Sequence, residues 1–481
     1  MNTKHTTPID TLVQLERKSA RDPHTFLNEL FTSHLPNQAQ CLMEALNNAG
    51  IEAFVVGGWL RDVVLDRPRH DIDLAANAPW EHVERVALSH GWSVHHTGIA
   101  HGTLSVVIDG MCFEVTQYRS DGTYSDARHP DAVSPVQTIE DDLARRDFTI
   151  NALAWNASRG LVDAYGGLRD CKRGIIRAVG SADMRMSEDA LRILRALRFA
   201  SEMGFSIDEE TWHAMNTRKT LLEKLPMPRV RAEFERFLEG SHVQKALVAY
   251  ADIVCALIPE LQASRGFDQK TRYHCFDVYE HSAHCTGFMP AQTHLRWAAL
   301  LHDSGKPSVC VEEQGVRHFH GHAEKSCIIT RSVLSRFGYS KRVIDRVCYL
   351  VKHHDDMLGV PCEEITMTMV QHLLKTMKGN VELFYEWCAL QRADAQAKAA
   401  GYQEGVALAD ALEAQCNAIL KCGAPYSLKQ LAITGDDVCT YTHCKACDIG
   451  AILTKALERV IDKRCENSHD ALVNWLVAGS S

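Results

Sequence analysis

The sequence lacks any apolar run long enough to cross a membrane, although 46% of its 481 residues are hydrophobic. It also lacks low-complexity segments and internal repeats, so we expect no repeat array. The start, from Met1 to Pro8, has no apolar core like that of a signal peptide. We therefore expect a cytoplasmic protein with no membrane partner, and the length favours several domains over one core.

A disulfide framework and an excess of basic residues are missing too. The seventeen cysteines are an odd number and are scattered along the chain, which favours reduced thiols in a cytoplasm. The net charge of −9 argues against a generally basic, nucleic-acid-binding surface. It does not exclude a local basic groove, because the field near a cleft depends on nearby charges.

The most informative stretch runs from Phe54 to Asp73. An apolar run ends at Gly57-Gly58 and is followed by Arg61-Asp62, a pattern that predicts a buried strand, a tight turn and the start of a helix. Backbone N–H groups at such a turn are well placed to bind phosphate.

Two carboxylates, Asp71 and Asp73, follow that turn two residues apart. Because successive strand side chains point to opposite faces, the two share a face while Ile72 packs behind them. Two carboxylates on one face are what a pair of Mg²⁺ ions needs for in-line displacement at phosphorus. The turn and the pair together predict nucleotidyl transfer.

The surrounding pattern predicts an α/β fold for the N-terminal nucleotidyltransferase head, followed by an all-α remainder. Short apolar runs alternate with helical patterns from about residue 45 to 175. After Arg177 long helical periods continue to the end of the sequence. The predicted strands are 51–57, 70–76, 92–97, 103–108 and 111–119.

Two further parts of the head are open to more than one interpretation. Glu114 lies on the last of these strands. Its side chain is either a third acid beside the aspartates or a structural hydrogen-bond acceptor. Residues 119–140 are polar and rich in turn formers, which predicts a mobile loop beside the site.

Arginines recur after the loop. Arg145-Arg146 precedes an apolar helical segment and would bind a triphosphate, since guanidinium binds phosphate in a bidentate way. Arg192, Arg195 and Arg198 follow at three-residue steps along one drifting face of a helix. A solvated surface charge is the alternative for each.

Asp189 and Arg192 stand one helical turn apart and suggest how a nucleobase is selected. A carboxylate accepts hydrogen bonds and a guanidinium donates them. Cytosine and adenine present an amino donor beside an acceptor and fit this pair, whereas guanine and uracil reverse the pattern. Burying such mismatches costs about 1–3 kcal/mol each, so a protein helix would select C and A without a template.

These motifs resemble the CCA-adding tRNA nucleotidyltransferases of the bacterial type (class II), relatives of poly(A) polymerases. The resemblance extends from about residue 45 to the C-terminus. Leu60 and Ala164 differ from the residues usual in this family, and neither touches a catalytic group. The matching segments are Gly57-Gly58-x-Leu-Arg61-Asp62, Asp71-x-Asp73, Arg145-Arg146-Asp147-Phe-Thr-Ile-Asn-Ala-Leu-Ala, Asp163-Ala-Tyr-Gly-Gly-Leu-Arg-Asp, Ile176-Arg-Ala-Val-Gly180 and Glu188-Asp189-x-x-Arg192-x-x-Arg195-Ala-x-Arg198-Phe.

The resemblance implies a reaction and its partners: addition of C, C and A to a tRNA that lacks all or part of its 3′ CCA, from CTP and ATP, with Mg²⁺. It implies that Asp71 and Asp73 hold the metal and that 119–140 takes part in the switch from C to A addition. The nucleotide-binding residues it implies are Gly57, Gly58 and Arg61 at the turn, Arg146, Arg195 and Arg198 at the triphosphate, and Asp189 and Arg192 at the base.

The resemblance also implies a head, neck, body and tail, with tRNA along the helical part. Basic residues such as Arg229 and Arg231 would meet phosphates there. The sequence leaves the oligomeric state open. The predicted divisions are a polar extension (1–44), the catalytic head (45–175), a neck with the base-reading helix (176–265), a helical HD-type domain (266–400) and a tRNA-binding tail (401–481).

Histidines in the second half predict another metal site. His302-Asp303 ends an apolar helix, and histidine with aspartate suits divalent metals. The pattern resembles the HD phosphohydrolase superfamily, with Ser304 in place of a usual apolar residue. The ligands implied for a further divalent metal are His281, His302, Asp303, His322, one of His353 and His354, for which we take His353, and Asp394.

Other functions stay open at this stage. One class is a partial or altered specificity: a CC-adding enzyme, an A-adding enzyme or a poly(A) polymerase. Another is an HD-domain phosphohydrolase whose head only senses nucleotide. A uridylyltransferase-type regulator is disfavoured, because Asp189 and Arg192 should reject uracil. Cys439, Cys444 and Cys447 form no zinc site by our interpretation, since only one short C-x-x-C is present.

Overall fold

The computed structural model describes residues 7–11, 22–68, 71–99, 102–122, 133–442, 445 and 447–478. The chain folds into two compact units. The first comprises Met1–His242 and Tyr250–Leu257, and the second comprises Val243–Ala249 and Ile258–Ser481. Within the described ranges, no helix combines the length and apolarity needed to cross a membrane. The five-part division predicted above stays a prediction.

A seven-stranded mixed sheet forms the centre of the first unit, in the order β3-β4-β5-β2-β1-β8-β9. The β2–β5 pair is parallel and its other pairs are antiparallel. The five predicted strands are all found, and each begins and ends within two residues of its predicted bounds. The strands of this sheet are β1 (Ala53–Val56), β2 (Ile72–Ala76), β3 (Ser93–Gly98), β4 (Thr103–Ile108), β5 (Met111–Gln117), β8 (Ala154–Asn156) and β9 (Gly160–Val162). Two further strands, β6 (Arg119–Asp121) and β7 (Val133–Pro135), pair with each other.

The region predicted as a polar extension contributes to the core. Leu27 and Phe31 are buried on the helix Pro23–His34, and Leu42 is buried on the helix that begins at Asn37. The Phe31 ring centroid lies 6.3 Å from that of Trp59 and 5.6 Å from that of Trp155. The helices of the head are α1 (Pro23–His34), α2 (Asn37–Asn48), α3 (Gly58–Val64), α4 (Trp80–Ser89), α5 (Ile139–Ala144) and α6 (Gly167–Arg173).

Residues 119–140, predicted as a loop, contain ordered elements at both ends. β6 pairs with β7, and Ile139 already begins α5. Residues 123–132 lie outside the described residues, so the predicted mobility stays a prediction. The sequence did not predict the two short strands, since three residues each are too few to show a strand period.

The neck is helical, and α8 packs against α10. On α8 the predicted packing residues Leu191, Leu194 and Leu197 are buried, but so are Arg192 and Arg198, at 7% and 4% exposure. The predicted basic stripe is therefore largely internal. The elements are β10 (Ile175–Ile176), α7 (Ala182–Glu188), α8 (Leu191–Met203), β11 (Ser206–Ile207), α9 (Glu209–Arg218) and α10 (Met227–Glu239), followed by α11 (Val243–Ala249) in the second unit and α12 (Ala251–Leu257) in the first.

In its described residues the second unit is helical apart from one β-hairpin, formed by β12 (Val311–Glu313) and β13 (Val316–His318). An α/β head followed by helices is thus the fold predicted from the sequence, and it is confirmed. The remaining helices are α13 (Val278–Phe288), α14 (Thr293–Leu301), α15 (Lys306–Val309), α16 (His322–Arg336), α17 (Lys341–Lys352), α18 (Met367–Thr376), α19 (Val381–Gln396), α20 (Glu404–Cys422), α21 (Gly435–Thr442), α22 (Ile449–Ile461) and α23 (His469–Ala478).

Candidate active site

Three carboxylates lie together on one face of the central sheet. Asp71 precedes β2, Asp73 lies on it, and Ile72 between them is buried. In the parallel β2–β5 pairing Asp73 stands directly opposite Glu114. The alternation predicted from the sequence is therefore present, and Glu114 joins the pair.

The negative charges of these carboxylates lie close together, which favours binding of a cation. Desolvation and the nearby Glu114 and Asp71 raise the pKa of Asp73 to about 6, against a lowering by Arg146. Oxygen ligands with surplus negative charge fit Mg²⁺, a hard divalent cation.

The Gly57-Gly58 turn faces two arginines. Gly57 has φ +77°, and a Cβ atom there would lie 3.1 Å from an Arg146 Nη atom. A Cβ at Gly58 would lie 3.3 Å from an Arg61 Nη atom. The backbone conformation therefore favours glycine at Gly57, and the guanidinium groups leave little room for a Cβ atom at either position.

Carboxylates hold both arginines in place. Arg61 donates from Nε to Asp62 at 2.9 Å and from Nη1 to the Asn151 side chain at 2.6 Å. Arg146 donates to the buried Asp142 at 3.1 Å. Burial raises the pKa of Asp142, but Arg146 and Arg145 outweigh that effect and lower the pKa below its ordinary value. Asp142 was not predicted, and its place three residues before the arginine pair was the available signal.

The same network reaches the neck helix. Asp147 accepts from Asn151 at 3.0 Å and from Arg195 Nε at 2.8 Å. Burial raises the pKa of Asp147, but Arg195 and Asn151 outweigh it and bring it to about 2. Arg198 Nε lies 3.0 Å from Glu233 Oε2 on α10, and burial lowers its pKa to about 10. Arg198 therefore stays charged at neutral pH while almost enclosed.

The predicted base-reading residues sit where α7 meets α8. Asp189 caps α7 and accepts from the Leu191 N–H at 3.0 Å. Arg192 donates to Glu188 at 2.6 Å and to the Arg145 backbone carbonyl at 3.0 Å, so its guanidinium is fixed. Arg229 lies 3.8 Å from Asp189 Oδ2. The sequence suggested phosphate contact for Arg229, whereas the structure places it beside Asp189.

A second cluster lies in the second unit, where two groups of potential metal ligands share Asp303. One group is His281, His302 and Asp303, and the other is Asp303, His322 and His354. Asp303 Oδ2 lies 3.2 Å from His302 Nε2, and Oδ1 lies 3.4 Å from His322 Nε2. Asp394 Oδ1 lies 2.9 Å from His281 Nε2.

Backbone carbonyls orient three of these histidines. The Nδ1–H groups of His302, His322 and His354 donate to carbonyl oxygens three residues earlier, at 2.7, 2.9 and 2.7 Å. The Nε2 atoms then point into the cluster, as in metal-ligating histidines. Within the described ranges His302 Nε2 and Asp303 Oδ1 are buried atoms without a hydrogen bond. Ring nitrogens and carboxylate oxygens that converge in this way fit a divalent cation.

The prediction of His353 as a ligand is corrected to His354. His354 Nε2 lies 3.2 Å from His322 Nε2 and 3.6 Å from Asp303. His353 lies at the end of α17 and its Nδ1 contacts Asp356 at 2.7 Å. Adjacent residues at a helix end point in different directions, and the sequence alone could not show which one turns inward.

Two lysines that sequence reasoning missed compensate the carboxylates. Lys306 Nζ lies 2.6 Å from Asp303 and Lys398 Nζ lies 2.8 Å from Asp394. Burial raises the pKa values of Asp303 and Asp394. His302 and Lys306 beside Asp303, and Lys398 beside Asp394, outweigh that effect and hold both pKa values well below the ordinary value. The signal was the spacing, three residues after Asp303 and four after Asp394.

Comparisons with known proteins agree with this architecture. Residues 53–177 match the poly A polymerase head domain, 204–263 match a model described as the probable RNA and SrmB- binding site of polymerase A, and 271–415 match the HD domain. The resemblance predicted from the motifs is confirmed.

Curated relatives include CCA-adding enzymes. That of Lactobacillus delbrueckii subsp. bulgaricus is 43% identical over 46% of this chain and 53% of its own length. That of Leuconostoc mesenteroides subsp. mesenteroides is 44% identical over 46% of this chain and 54% of its own length. The chain spans about half the length of the curated relatives it matches.

Solved structures extend the likeness over nearly the whole chain. The Bacillus stearothermophilus CCA-adding enzyme in complex with CTP is 26% identical, with a TM-score of 0.66, over 92% of this chain and 96% of that one. The Thermotoga maritima CCA-adding enzyme complexed with tRNA is 21% identical, with a TM-score of 0.59, over 95% and 98%. The latter likeness concerns the fold alone.

Proposed function

We propose that the chain adds C, C and A to the 3′ end of tRNA without a template, using CTP and ATP and releasing pyrophosphate. The observation that carries the proposal is the register of Asp73 beside Glu114, with Asp71 on the same face of the head sheet. The similarity to CCA-adding enzymes supports the substrates. A cytoplasmic location is part of the proposal.

Asp71 and Asp73 would hold Mg²⁺, which supplies activation of the attacking 3′-hydroxyl and charge neutralisation at the departing pyrophosphate. The other steps fall to side chains. Gly57 and Gly58 leave room for the guanidinium groups of Arg146 and Arg61 to approach the turn. There they would bind the triphosphate oxygens and orient the α-phosphorus for in-line attack.

Base selection would depend on Asp189 and Arg192. Arg192 is held by Glu188 and by a backbone carbonyl, so it offers its donors in a fixed position. Asp189 supplies the acceptor. Cytosine and adenine satisfy both, whereas uracil and guanine leave buried groups unpaired, at about 1–3 kcal/mol each.

The test uses a tRNA transcript that lacks its 3′ CCA, with Mg²⁺ and each nucleotide singly and combined. Products are resolved at single-nucleotide length, with Asp71→Ala as the control. We expect growth by three residues with CTP and ATP, by two with CTP alone, and none with GTP or UTP. Growth by two only would indicate a CC-adding enzyme, and a long A ladder a poly(A) polymerase. No growth with any nucleotide would overturn the proposal.

A second activity, metal-dependent phosphohydrolysis, is favoured by the histidine cluster. Its Nε2 atoms converge on Asp303, and the ligands of one or two divalent cations would be completed by His281, His302, His322, His354 and Asp394. A bound cation supplies a Lewis acid and an activated water. Hydrolysis of chromogenic phosphate mono- and diesters with Mn²⁺, Co²⁺ or Ni²⁺ tests this. The activity should disappear in His302→Ala and survive in Asp71→Ala, and equal loss in both would contradict it.

A further inference from the structure

One aromatic ring in the neck is surrounded by three guanidinium groups. The Cζ atoms lie 5.2, 5.5 and 4.4 Å from the centroid of the Phe199 ring. They belong to Arg61, Arg195 and Arg198, which we call the arginine trio. Phe199 lies on α8 and is only 4% exposed.

Three positive charges around one ring require compensation. Carboxylates lie against the trio: Asp62 beside Arg61, Asp147 beside Arg195, and Glu233 beside Arg198. The ring contributes too, since the negative face of an aromatic ring attracts cations at this distance. The interaction is strongest where water is excluded, as it is around a buried phenylalanine.

The ring also connects separate parts of the chain. Arg61 comes from α3 next to the glycine turn, and the other two come from α8 in the neck. Phe148 fixes the orientation of Phe199 through an edge contact, with centroids 5.9 Å apart and planes at 90°. Phe148 follows Asp147 directly, so this aromatic contact joins α8 to the segment that carries Asp147.

We propose that Phe199 is a positioning residue that holds the arginine trio in the arrangement that binds the nucleotide triphosphate. This inference rests on the proposed nucleotidyltransferase function. Arg61 and Arg195 keep side-chain exposures of 11% and 32%, whereas Arg198 keeps 5%. Arg61 and Arg195 would touch phosphate oxygens, and the buried Arg198 would add positive charge without touching them. Phe199 itself touches no substrate.

The decisive comparison is Phe199→Leu against Phe237→Leu. Both remove a buried aromatic ring from the neck, but no cation is recorded over Phe237 in the described part of the chain. We expect Phe199→Leu to raise KM for CTP and for ATP about tenfold, since three cation–π contacts of modest strength are lost. KM for tRNA and kcat at saturating nucleotide should change by less than about threefold. Phe237→Leu should lower Tm similarly while leaving KM for nucleotides near the wild-type value.

A purely structural role for Phe199 predicts equal kinetics for the two variants and would overturn the inference. If Phe199→Leu fails to fold, Phe199→Met fills more of the volume and lacks the ring quadrupole, so it must show the same rise in KM. Calorimetric binding of CTP to the full chain gives an independent readout, and an unchanged affinity in Phe199→Met contradicts the inference. Failure of the proposed function differs, because wild-type protein would then add no nucleotide.

Discussion

The two carboxylate sites of this protein differ in how their charge is compensated. In the head, desolvation and neighbouring acids raise the pKa of Asp73 to about 6. In the histidine cluster, cationic neighbours outweigh burial and hold the pKa of Asp303 and of Asp394 well below the ordinary value. The charge on Asp73 is therefore not fully compensated by its neighbours, which favours a cation beside it. The cluster has Lys306 and Lys398 as internal counterions.

The largest expected effect follows from the head site's need for a cation. Asp73→Asn removes a ligand and one charge, and we expect nucleotide addition to fall at least about a thousandfold, because metal assistance supplies several kcal/mol of stabilisation. Addition to a truncated tRNA at saturating Mg²⁺ measures it. His302→Ala should leave addition near the wild-type rate. Loss of addition in both variants would mean that the two sites do not work separately.

The sites also differ in how far the sequence could predict them. Asp71 and Asp73 are two residues apart, and the strand period alone places them on one face. Glu114 stayed open, because its register with Asp73 depends on strand pairing between distant segments. The burial of Arg192 and Arg198 could not be predicted, since their partners Glu188 and Glu233 meet them only in the folded neck.

The cluster was harder to predict because its ligands come from separate helices. His281 and Asp394, which contact each other, are 113 residues apart in sequence. The types of ligand were predictable, but the choice between adjacent histidines was not, since it depends on how α17 ends. Lys306 and Lys398 were missed because a lysine near an aspartate in sequence is usually a solvated surface charge.

The next prediction tests which histidine completes the cluster. His354→Ala removes an Nε2 atom that faces Asp303, whereas His353→Ala removes a ring paired with Asp356. Because loss of an outer-shell partner alone typically costs 10- to 100-fold in affinity, we expect His354→Ala to weaken binding of Mn²⁺ or Co²⁺ by about a hundredfold or more. His353→Ala is the matched control and should stay within about threefold. Equilibrium dialysis measures both, and the reverse order would restore the original choice of His353.

A smaller effect is expected on specificity in the head. Asp189→Ala removes the acceptor that, in the proposed function, would pair with the amino group of C or A, and with it the mismatch against uracil. We expect discrimination between CTP and UTP, as a ratio of kcat/KM, to fall about 10- to 100-fold, which corresponds to 1–3 kcal/mol. Asp183→Ala, an exposed carboxylate on the same helix that pairs with Arg218, is the control. Unchanged discrimination in Asp189→Ala would contradict the base-reading role.

The smallest effect separates compensated from uncompensated carboxylates within the head itself. The pKa of Asp147 is lowered to about 2, so its ionised form stabilises the fold above about pH 4, and this contribution is lost as the pH falls through about 2. Asp147→Asn should therefore lower the free energy of unfolding by about 2 kcal/mol at pH 7, with the difference shrinking in acid.

The pKa of Asp73 is raised instead, so its carboxylate destabilises the metal-free fold increasingly as the pH rises from about 4 through 6. Asp73→Asn without metal should then stabilise the protein at pH 7, by about 1 kcal/mol after allowance for solvent screening, and this gain should vanish below pH 4. Chemical unfolding of both variants across pH, in chelator, measures the pair. Shifts of the same sign at pH 7 would show that Asp147 and Asp73 do not differ in compensation.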